Sequence, residues 1–222
     1  MTKEEILSHV DHTLLSVTAT EDEIRATVDD AIVYGCASVC IPPRFVKHAA
    51  EYAEGRIAVC TVIGFPNGYA SAETKCFEAR EAIACGADEI DTVVPVGCVK
   101  AGDYTSLSRE LSMLRAATEG KILKVIVETC LLTDDEKRAC ARIVSAIGAD
   151  YIKTSTGFST GGATVADVRL LSESITPPTR VKASGGIKDF SDAEKMLAAG
   201  ADRLGTSRLV SILKSDKKEG NY

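Results

Sequence analysis

The length, composition and charge of the chain limit what it can be. It has 222 residues, with 26 lysines and arginines against 32 aspartates and glutamates, and a formal net charge of −6. A chain of this length can fold around one large core, and single α/β barrels commonly reach it. Because an acidic chain lacks the cationic face that nucleic acid requires, we expect no nucleic-acid partner, and any anionic ligand must be held by a local site.

Cysteine usage and hydropathy favour a cytoplasmic protein. The eight cysteines lie within apolar segments and lack the close spacing of a metal site, which is typical of reduced thiols in or near a core. The amino-terminal residues are charged from Lys3 onwards and include no apolar signal segment. No stretch approaches the roughly 18 apolar residues of a membrane span. We therefore expect a cytoplasmic location and no membrane partner.

Short β-branched segments alternate with longer amphipathic ones along the chain. Residues 3–10 predict a short lead-in helix, and the first strand follows within 9–15. Thr20 and Glu23 have the spacing of a capping box, which predicts the start of the first long helix. Further strands are predicted at 37–41, 57–63, 87–94, 121–128, 149–154, 179–184 and 202–206, and amphipathic helices at 24–35, 44–55, 72–86, 107–120, 134–148, 165–174 and 192–200.

The number and order of these segments predict the fold. Eight strand-and-helix units of roughly 25 to 30 residues are the number in a single-domain (β/α)8 TIM barrel, and an open doubly wound sheet is the alternative. The similar sequences CGAD, IGAD and AGAD, which begin at residues 85, 147 and 199, each combine a helix stop with a strand start. Because no linker or change of composition interrupts residues 1–222, we predict one domain, with a polar C-terminal tail at 215–222.

Charged residues interrupt several of the predicted strands. Asp91, Lys124, Lys153 and Lys182 lie within the fourth to the seventh strand. Barrel strands are buried on both faces, so each of these charges requires an explanation. Because side chains alternate along a strand, the charges either line the barrel or pack against the helices. Lining the barrel near a wet mouth costs less, and we expect that arrangement.

The spacing of the three lysines indicates a reaction. Lys124, Lys153 and Lys182 follow one another at intervals of 29 residues, one unit each, which places them on consecutive strands. Lys153 and Lys182 precede glycine-rich loops, at the strand ends where barrel enzymes hold their active sites. Neighbouring cations lower each other's pKa, and a partly neutral lysine can form a Schiff base with a carbonyl. The alternative is that each lysine belongs to a structural ion pair with Asp91 or Glu128, and the spacing alone does not decide.

Three loops rich in glycine and hydroxyl groups predict an anion site. They span residues 154–157, 184–188 and 205–208, directly after the sixth, seventh and eighth strands. Glycine lets backbone N–H groups approach a ligand closely, and the start of a helix adds partial positive charge, so a phosphate fits there. A pair of glycines alone is usually a turn, but three such loops on consecutive strands are more specific. His12 has no second histidine nearby, so we expect no metal site.

Six motifs together resemble one family. The segments DHTLL, SVCIPPRFV, DEIDTVV, LKVIVET, DYIKTSTGF and VKASGGI are similar to those of the deoxyribose-phosphate aldolases, which are class I, Schiff-base enzymes. The matches run from Asp11 to Ser207 in the order and spacing of the family. The resemblance implies a TIM barrel that reversibly cleaves 2-deoxy-D-ribose 5-phosphate to D-glyceraldehyde 3-phosphate and acetaldehyde. It also implies that no metal or other cofactor takes part, and that the protein forms a homodimer.

The resemblance also implies roles for individual residues. Lys153 matches the lysine that forms the Schiff base, and Lys182 matches the second lysine, whose charge perturbs the first. Asp91 matches the carboxylate that works with a water molecule as general acid and base. Further matches in the substrate pocket are Asp11, Thr13, Cys40, Lys124 and Thr156, and those at the phosphate are Gly157, Gly185, Gly186, Gly205 and Ser207.

Three features of the chain qualify the resemblance. Pro95 stands where a number of family members carry asparagine, and Phe158 stands where some carry lysine, which removes a cation from the phosphate end. The chain ends in Tyr222, like relatives whose mobile terminal tyrosine reaches the site, which implies a tail that relays protons. Two other functions remain open from the residues alone: a phosphosugar isomerase, and a non-catalytic barrel that binds sugar phosphates.

Overall fold

The computed structural model describes residues 1–219, with side chains up to residue 215. Eight parallel strands form a closed barrel in which each strand pairs with its sequence neighbours and β8 pairs with β1. The single-domain TIM barrel is therefore confirmed. The strands are β1 Val10–Thr13, β2 Ser38–Ile41, β3 Ala58–Ile63, β4 Glu89–Val93, β5 Ile122–Ile126, β6 Tyr151–Lys153, β7 Arg180–Ser184 and β8 Arg203–Thr206.

Helices surround the barrel, and the predicted lead-in helix is present as α1. The helices are α1 Lys3–Leu7, α2 Glu21–Val33, α3 Val46–Ala53, α4 Ala72–Ala84, α5 Val96–Lys100, α6 Tyr104–Ala117, α7 Asp134–Ala146, α8 Val165–Ser174, α9 Phe190–Ala198 and α10 Arg208–Glu219. Two short 3₁₀ helices, Pro43–Phe45 and Thr129–Leu131, follow β2 and β5. Within the described residues, no helix is long and apolar enough to cross a membrane.

Side-chain alternation divides each strand between two environments. On β5, Leu123 and Val125 belong to the apolar core between the sheet and the helices. Lys124 and Ile126 are also buried but lie outside that core cluster, and Lys124 contacts charged groups inside the barrel. The strand is therefore apolar towards the helices and carries the charge of Lys124 inside the barrel, as we expected for the charged strands.

Local signals explain where several helices begin. Glu23 Oε2 accepts a hydrogen bond from the Thr20 backbone N–H at 2.8 Å, and Thr20 Oγ1 accepts one from the Glu23 N–H at 3.4 Å. This is the predicted capping box of α2, and it satisfies backbone donors that the first turn leaves free. Thr2 and Thr133 cap α1 and α7 in the same way.

Two parts of the chain differ from the expectation. The short helix α5, which includes Gly97, lies between β4 and α6 and was not predicted, because five residues are too few for a helical period to stand out. At the other end, α10 continues to Glu219 and so includes residues 215–219 of the predicted tail. Tyr222 lies outside the described residues.

Candidate active site

Asp91 on β4 joins the three lysines that were predicted to line the barrel. Its carboxylate is fully buried. Oδ1 accepts a hydrogen bond from Lys124 Nζ at 2.8 Å, and Oδ2 accepts one from Lys153 Nζ at 2.8 Å and one from Lys182 Nζ at 2.7 Å. Lys153 and Lys182 are thus ion-paired with one carboxylate, as the ion-pair alternative predicts for Asp91, and they also stand side by side.

The strand register determines how the lysines are arranged. Lys153 on β6 is the direct neighbour of Lys182 on β7. Lys124 on β5 is the neighbour of Tyr151, two residues before Lys153. The three lysines do lie on consecutive strands, but Lys124 is deeper in the barrel than the other two. Only Lys153 and Lys182 form the pair at the carboxyl ends of the strands.

Two further carboxylates and one arginine complete the charged cluster. Asp11 on β1 accepts hydrogen bonds from Lys182 Nζ and, at 2.6 Å, from the Arg203 guanidinium. Glu89 on β4 lies 2.5 Å from Lys124 Nζ. The cluster therefore contains four cationic side chains and three carboxylates. When all of them are ionised, it carries one unpaired positive charge in a place from which water is largely excluded.

Within this cluster, attraction between opposite charges outweighs burial in setting the pKa values of Asp91 and Lys182. Burial would raise the pKa of Asp91, but Lys124, Lys153 and Lys182 hold it well below its ordinary value. Burial would lower the pKa of Lys182, but Asp11 and Asp91 raise it above the usual lysine range. The pKa of Lys182 is therefore raised overall, because the two carboxylates outweigh burial and the neighbouring Lys124 cation.

A pair of buried thiols lies beside Asp91. Cys40 on β2 is the strand neighbour of Cys60 on β3, and Cys60 Sγ donates to Asp91 Oδ1 at 3.2 Å. The neighbouring Cys60 thiol lowers the pKa of Cys40, with a further contribution from Lys182. The two thiols and Asp91 offer ligand atoms within 4.8 Å of one another. However, Asp91 already accepts three lysine ammonium groups, which would repel a metal cation.

A cavity of about 530 Å³ opens at the carboxyl ends of the strands. Lys153 lines it and is 3% exposed, whereas Asp91 and Lys182 are completely buried in the barrel behind it. Asp11, Lys124 and Cys40 also lie in the barrel interior. The predicted residues that line the cavity together with Lys153 are Thr13, Thr156, Gly157, Gly185, Gly186, Gly205 and Ser207.

The cavity wall differs in character from one side to the other. Lys188 and Arg208, which were not assigned from the sequence, add two cations next to the loops after β7 and β8. Phe158 lies on the loop after β6, is 52% exposed and makes an edge-to-face contact with Phe65, with 5.3 Å between ring centroids. The cationic side suits an anion, whereas the aromatic side offers it no charge.

Comparison with known proteins identifies the family. Residues 6–214 match the sequence model of the DeoC/LacD family aldolases. The chain belongs to the DeoC/LacD aldolase family. A protein from Streptococcus agalactiae serotype Ia named deoxyribose-phosphate aldolase is 51% identical over 223 residues, which is 100% of both chains. One of the same name from Clostridioides difficile is 50% identical over 211 residues, or 95% of this chain and 96% of the other.

A solved structure supports the same assignment. The deoxyribose phosphate aldolase from Aeropyrum pernix, described as having a unique tetrameric structure, is 36% identical to this chain. The comparison covers 98% of this chain and 93% of the other, with a TM-score of 0.89. This chain is thus an aldolase, a carbon–carbon lyase, on the barrel that the sequence predicts.

Some residues of this aldolase site carried a signal in the sequence that was not used. Arg203 stands two residues before Gly205, so strand alternation turns it towards the same barrel interior. Cys60 likewise lies within a predicted strand, but only the register shows that it faces Cys40. Glu128, considered as a partner for the lysines, instead accepts hydrogen bonds from Thr156. A carboxylate just beyond a strand is compatible with either partner, so the sequence could not distinguish them.

Proposed function

We propose that this aldolase reversibly cleaves 2-deoxy-D-ribose 5-phosphate to D-glyceraldehyde 3-phosphate and acetaldehyde through a Schiff base on Lys153. The observation that supports it best is the position of Lys153. It is the cluster lysine on the cavity wall, beside Lys182 and next to a site suited to an anion. The relatives named deoxyribose-phosphate aldolase support the choice of substrate.

The charge of the cluster favours a nucleophilic Lys153. With four cations against three carboxylates, loss of one proton removes the unpaired positive charge. Lys182 is held as an ammonium ion by Asp11 and Asp91, whereas Lys153 is the cluster lysine that adjoins the cavity, where a carbonyl substrate can reach its amine. A neutral lysine amine attacks carbonyl carbon, whereas an ammonium group does not.

The reaction then follows from an electron sink at C1. The Lys153 amine adds to the aldehyde carbon of the open-chain sugar, and loss of water produces a protonated imine. As the C3 hydroxyl loses its proton, the C2–C3 bond breaks, its electron pair enters the imine system, and glyceraldehyde 3-phosphate leaves. The remaining enamine gains a proton at C2, and hydrolysis of the imine releases acetaldehyde and regenerates Lys153.

We propose that Asp91 moves protons during these steps. Its Oδ2 atom lies 2.8 Å from Lys153 Nζ, and three lysines keep the carboxylate ionised. We propose that it works with a water molecule of the cavity as general acid and base. Lys182 shares the same oxygen, and so helps to fix the carboxylate as well as to provide charge.

The three glycine-containing loops are proposed to hold the phosphate. Gly157 and Gly186 have φ angles of 85° and 78°, which glycine adopts without strain. The absence of a side chain lets a ligand approach the backbone N–H groups closely, and Lys188 and Arg208 add positive charge on the same wall. Ser207 stands directly before α10 and offers a hydroxyl to the same ligand.

Borohydride trapping tests the proposed covalent step. The enzyme incubated with acetaldehyde and sodium borohydride should gain the mass of one reduced adduct, and peptide mapping should place it on Lys153. K153L should lose the adduct and all measurable cleavage while keeping its circular dichroism. K47L, which removes an exposed lysine on α3, is the matched control and should behave like the wild type. Cleavage by K153L would contradict the Schiff-base assignment.

The same trapping separates the two other functions. A phosphosugar isomerase that uses acid and base alone would interconvert its substrate without leaving a reduced adduct. A non-catalytic barrel would bind the sugar phosphate without turnover. Neither function needs Lys153 and Lys182 side by side, whereas covalent aldol chemistry uses the amine of one and the charge of the other.

We also propose that the protein assembles as a homodimer. Apolar side chains on the outer helices, including Val33 on α2 and Phe77 on α4, are 71% and 68% exposed, and burial in an interface would remove them from water. Light scattering on the eluting peak of a size-exclusion column should give twice the mass of the chain. The Aeropyrum pernix relative is described as a tetramer, so fourfold the mass is the main competing outcome, and either fourfold or the mass of one chain would contradict the dimer.

A further inference from the structure

Glu128, the second residue after β5, combines two unfavourable features. Its φ and ψ angles are 58° and 66°, in the left-handed region that residues other than glycine rarely occupy. Its side chain is also buried, with 4% exposure. A strained backbone and a buried carboxylate at one position persist only where the surrounding contacts impose them, and such positions are concentrated at functional sites.

The contacts of Glu128 connect it to the loop after β6. Oε2 accepts a hydrogen bond from Thr156 Oγ1 at 2.5 Å, and Oε1 accepts one from the Thr156 backbone N–H at 3.2 Å. Thr156 Oγ1 in turn accepts a hydrogen bond from the Phe158 N–H at 3.0 Å. Both groups of Thr156 that face Glu128 are donors, so a carboxylate can accept both, whereas an amide would turn its own NH₂ donor towards one of them.

The far end of the same loop is fixed to the loop after β7. The Ala163 N–H donates to the carbonyl groups of Ser184 and Gly185, both at 3.0 Å. The loop backbones are in close contact, because a Cβ atom added to Gly162 would lie 2.5 Å from the Gly185 carbonyl carbon. Between these two attachments lies Gly157, which lines the cavity. The position of this part of the cavity wall therefore depends on the contacts of Glu128.

We propose that Glu128 is a positioning residue that sets the grip on the phosphate end of the substrate. The inference rests on the proposed function, since it presumes that residues 156–158 meet the phosphate end. Lys153 is held separately, by the β6 strand pairing and by Asp91. Loss of the Glu128 carboxylate should therefore weaken the hold on a phosphorylated substrate and leave the covalent chemistry at Lys153 in place.

Kinetics with two substrates test this separation. For E128Q, KM for 2-deoxy-D-ribose 5-phosphate should rise about tenfold or more, since a charge-assisted contact is lost and one donor of Thr156 is left unpaired. The kcat value for that substrate should stay within about threefold of the wild type. For unphosphorylated 2-deoxy-D-ribose, kcat/KM should change by less than about threefold. Trapping of Lys153 with acetaldehyde and borohydride should equal that of the wild type.

The E128G variant separates the effect of losing the carboxylate from the effect of the left-handed backbone conformation. Glycine adopts the left-handed conformation without strain, so this variant should remain folded while it shows the same rise in KM as E128Q. Glu54 offers a matched control, because it is the other left-handed residue besides glycine in the described part of the chain, with φ of 49°, and it is exposed at the end of α3. E54G and E54Q should leave both kinetic constants unchanged.

The outcomes distinguish this inference from the proposed function. If the wild type fails to cleave the sugar phosphate or to trap on Lys153, the proposed function is wrong, and the inference is wrong with it. If the wild type cleaves and traps but E128Q and E128G keep the wild-type KM, only the inference is overturned. An equal loss with both substrates, or unfolding of both variants in thermal melts, would assign Glu128 a general structural role and would also overturn it.

Discussion

Lys153 and Lys182 are residues of the same type, but their surroundings differ. Lys182 contacts two carboxylates, Asp11 and Asp91, and is fully buried. Lys153 shares Asp91 with it but borders the cavity. A proton lost from Lys182 would leave two buried carboxylates less well compensated, which is costly. This difference supports the proposal that Lys182 carries the constant charge and Lys153 the reactive amine.

Gly205 has no room for a side chain. A Cβ atom there would lie 2.9 Å from Ser184 Cβ and 3.3 Å from Lys182 Cε. G205A should cost about 1–3 kcal/mol of unfolding free energy, because overpacking displaces the neighbours. It should also lower kcat, because Lys182 must shift relative to Lys153. Urea unfolding and initial rates measure the two effects.

Gly97 in α5 provides the control for that prediction. It has no heavy atom within 4 Å of an added Cβ, so G97A should stabilise the protein by about 0.5–1 kcal/mol through the better helix propensity of alanine. Its kcat should not change. If G205A is as stable and as active as G97A, then the contact with Lys182 does not constrain the site.

The elements of this fold were largely readable from the sequence, but their register was not. Apolar periodicity and helix stops located all eight strands. Lys124, however, is followed by Lys153 after 29 residues, whereas its strand neighbour on β6 is Tyr151. Sequence spacing counts the loop and helix between two strands, whereas register depends on how the strands are staggered around the barrel. The depth of Lys124 could therefore be known only from the structure.

The contacts within loops were the second feature that could not be predicted from the sequence. The three glycine-rich loops were placed correctly because strand order alone brings them to one end of the barrel. Their internal contacts, such as that between Glu128 and Thr156, depend on backbone angles that only the folded chain defines. The positions of Lys188 and Arg208 on the cavity wall were not predicted for the same reason: both lie in motifs that were recognised, but side-chain direction in a loop follows no period.

At the scale of the whole molecule, charge is distributed unevenly. The chain carries a net charge of −6, yet the cluster inside the barrel has one cation in excess of its carboxylates. Lys188 and Arg208 on the cavity wall extend this positive region towards solvent. An acidic surface with a cationic opening directs an anionic substrate to the opening, because field lines concentrate in a cleft with low-dielectric walls.

The same distribution predicts how stability depends on pH. Asp11 and Asp91 have lowered pKa values in the folded state, so their contribution is complete above about pH 4 and is lost as the pH falls towards the folded values. Urea unfolding between pH 5 and pH 3 should show little change in unfolding free energy above about pH 4.5 and then a decrease that steepens towards about 1.4 kcal/mol per pH unit for each carboxyl group. A constant value over this range would contradict the strength of these ion pairs.

Above neutral pH the unfolding free energy should also fall, and it should begin to fall at a lower pH than titration of the lysines alone would predict. Burial raises the pKa of the Cys140 thiol to about 12, whereas an unfolded thiol ionises near about 8.5. The contribution of Cys140 is thus complete below about pH 8.5 and is lost above it, whereas that of Lys182, whose pKa is also raised, is complete up to about pH 10. C140A should therefore lose less unfolding free energy than the wild type between pH 8.5 and pH 10, measured by urea unfolding in a reducing buffer. Identical slopes for the two proteins would show that the Cys140 thiol ionises as readily in the folded protein as in the unfolded chain.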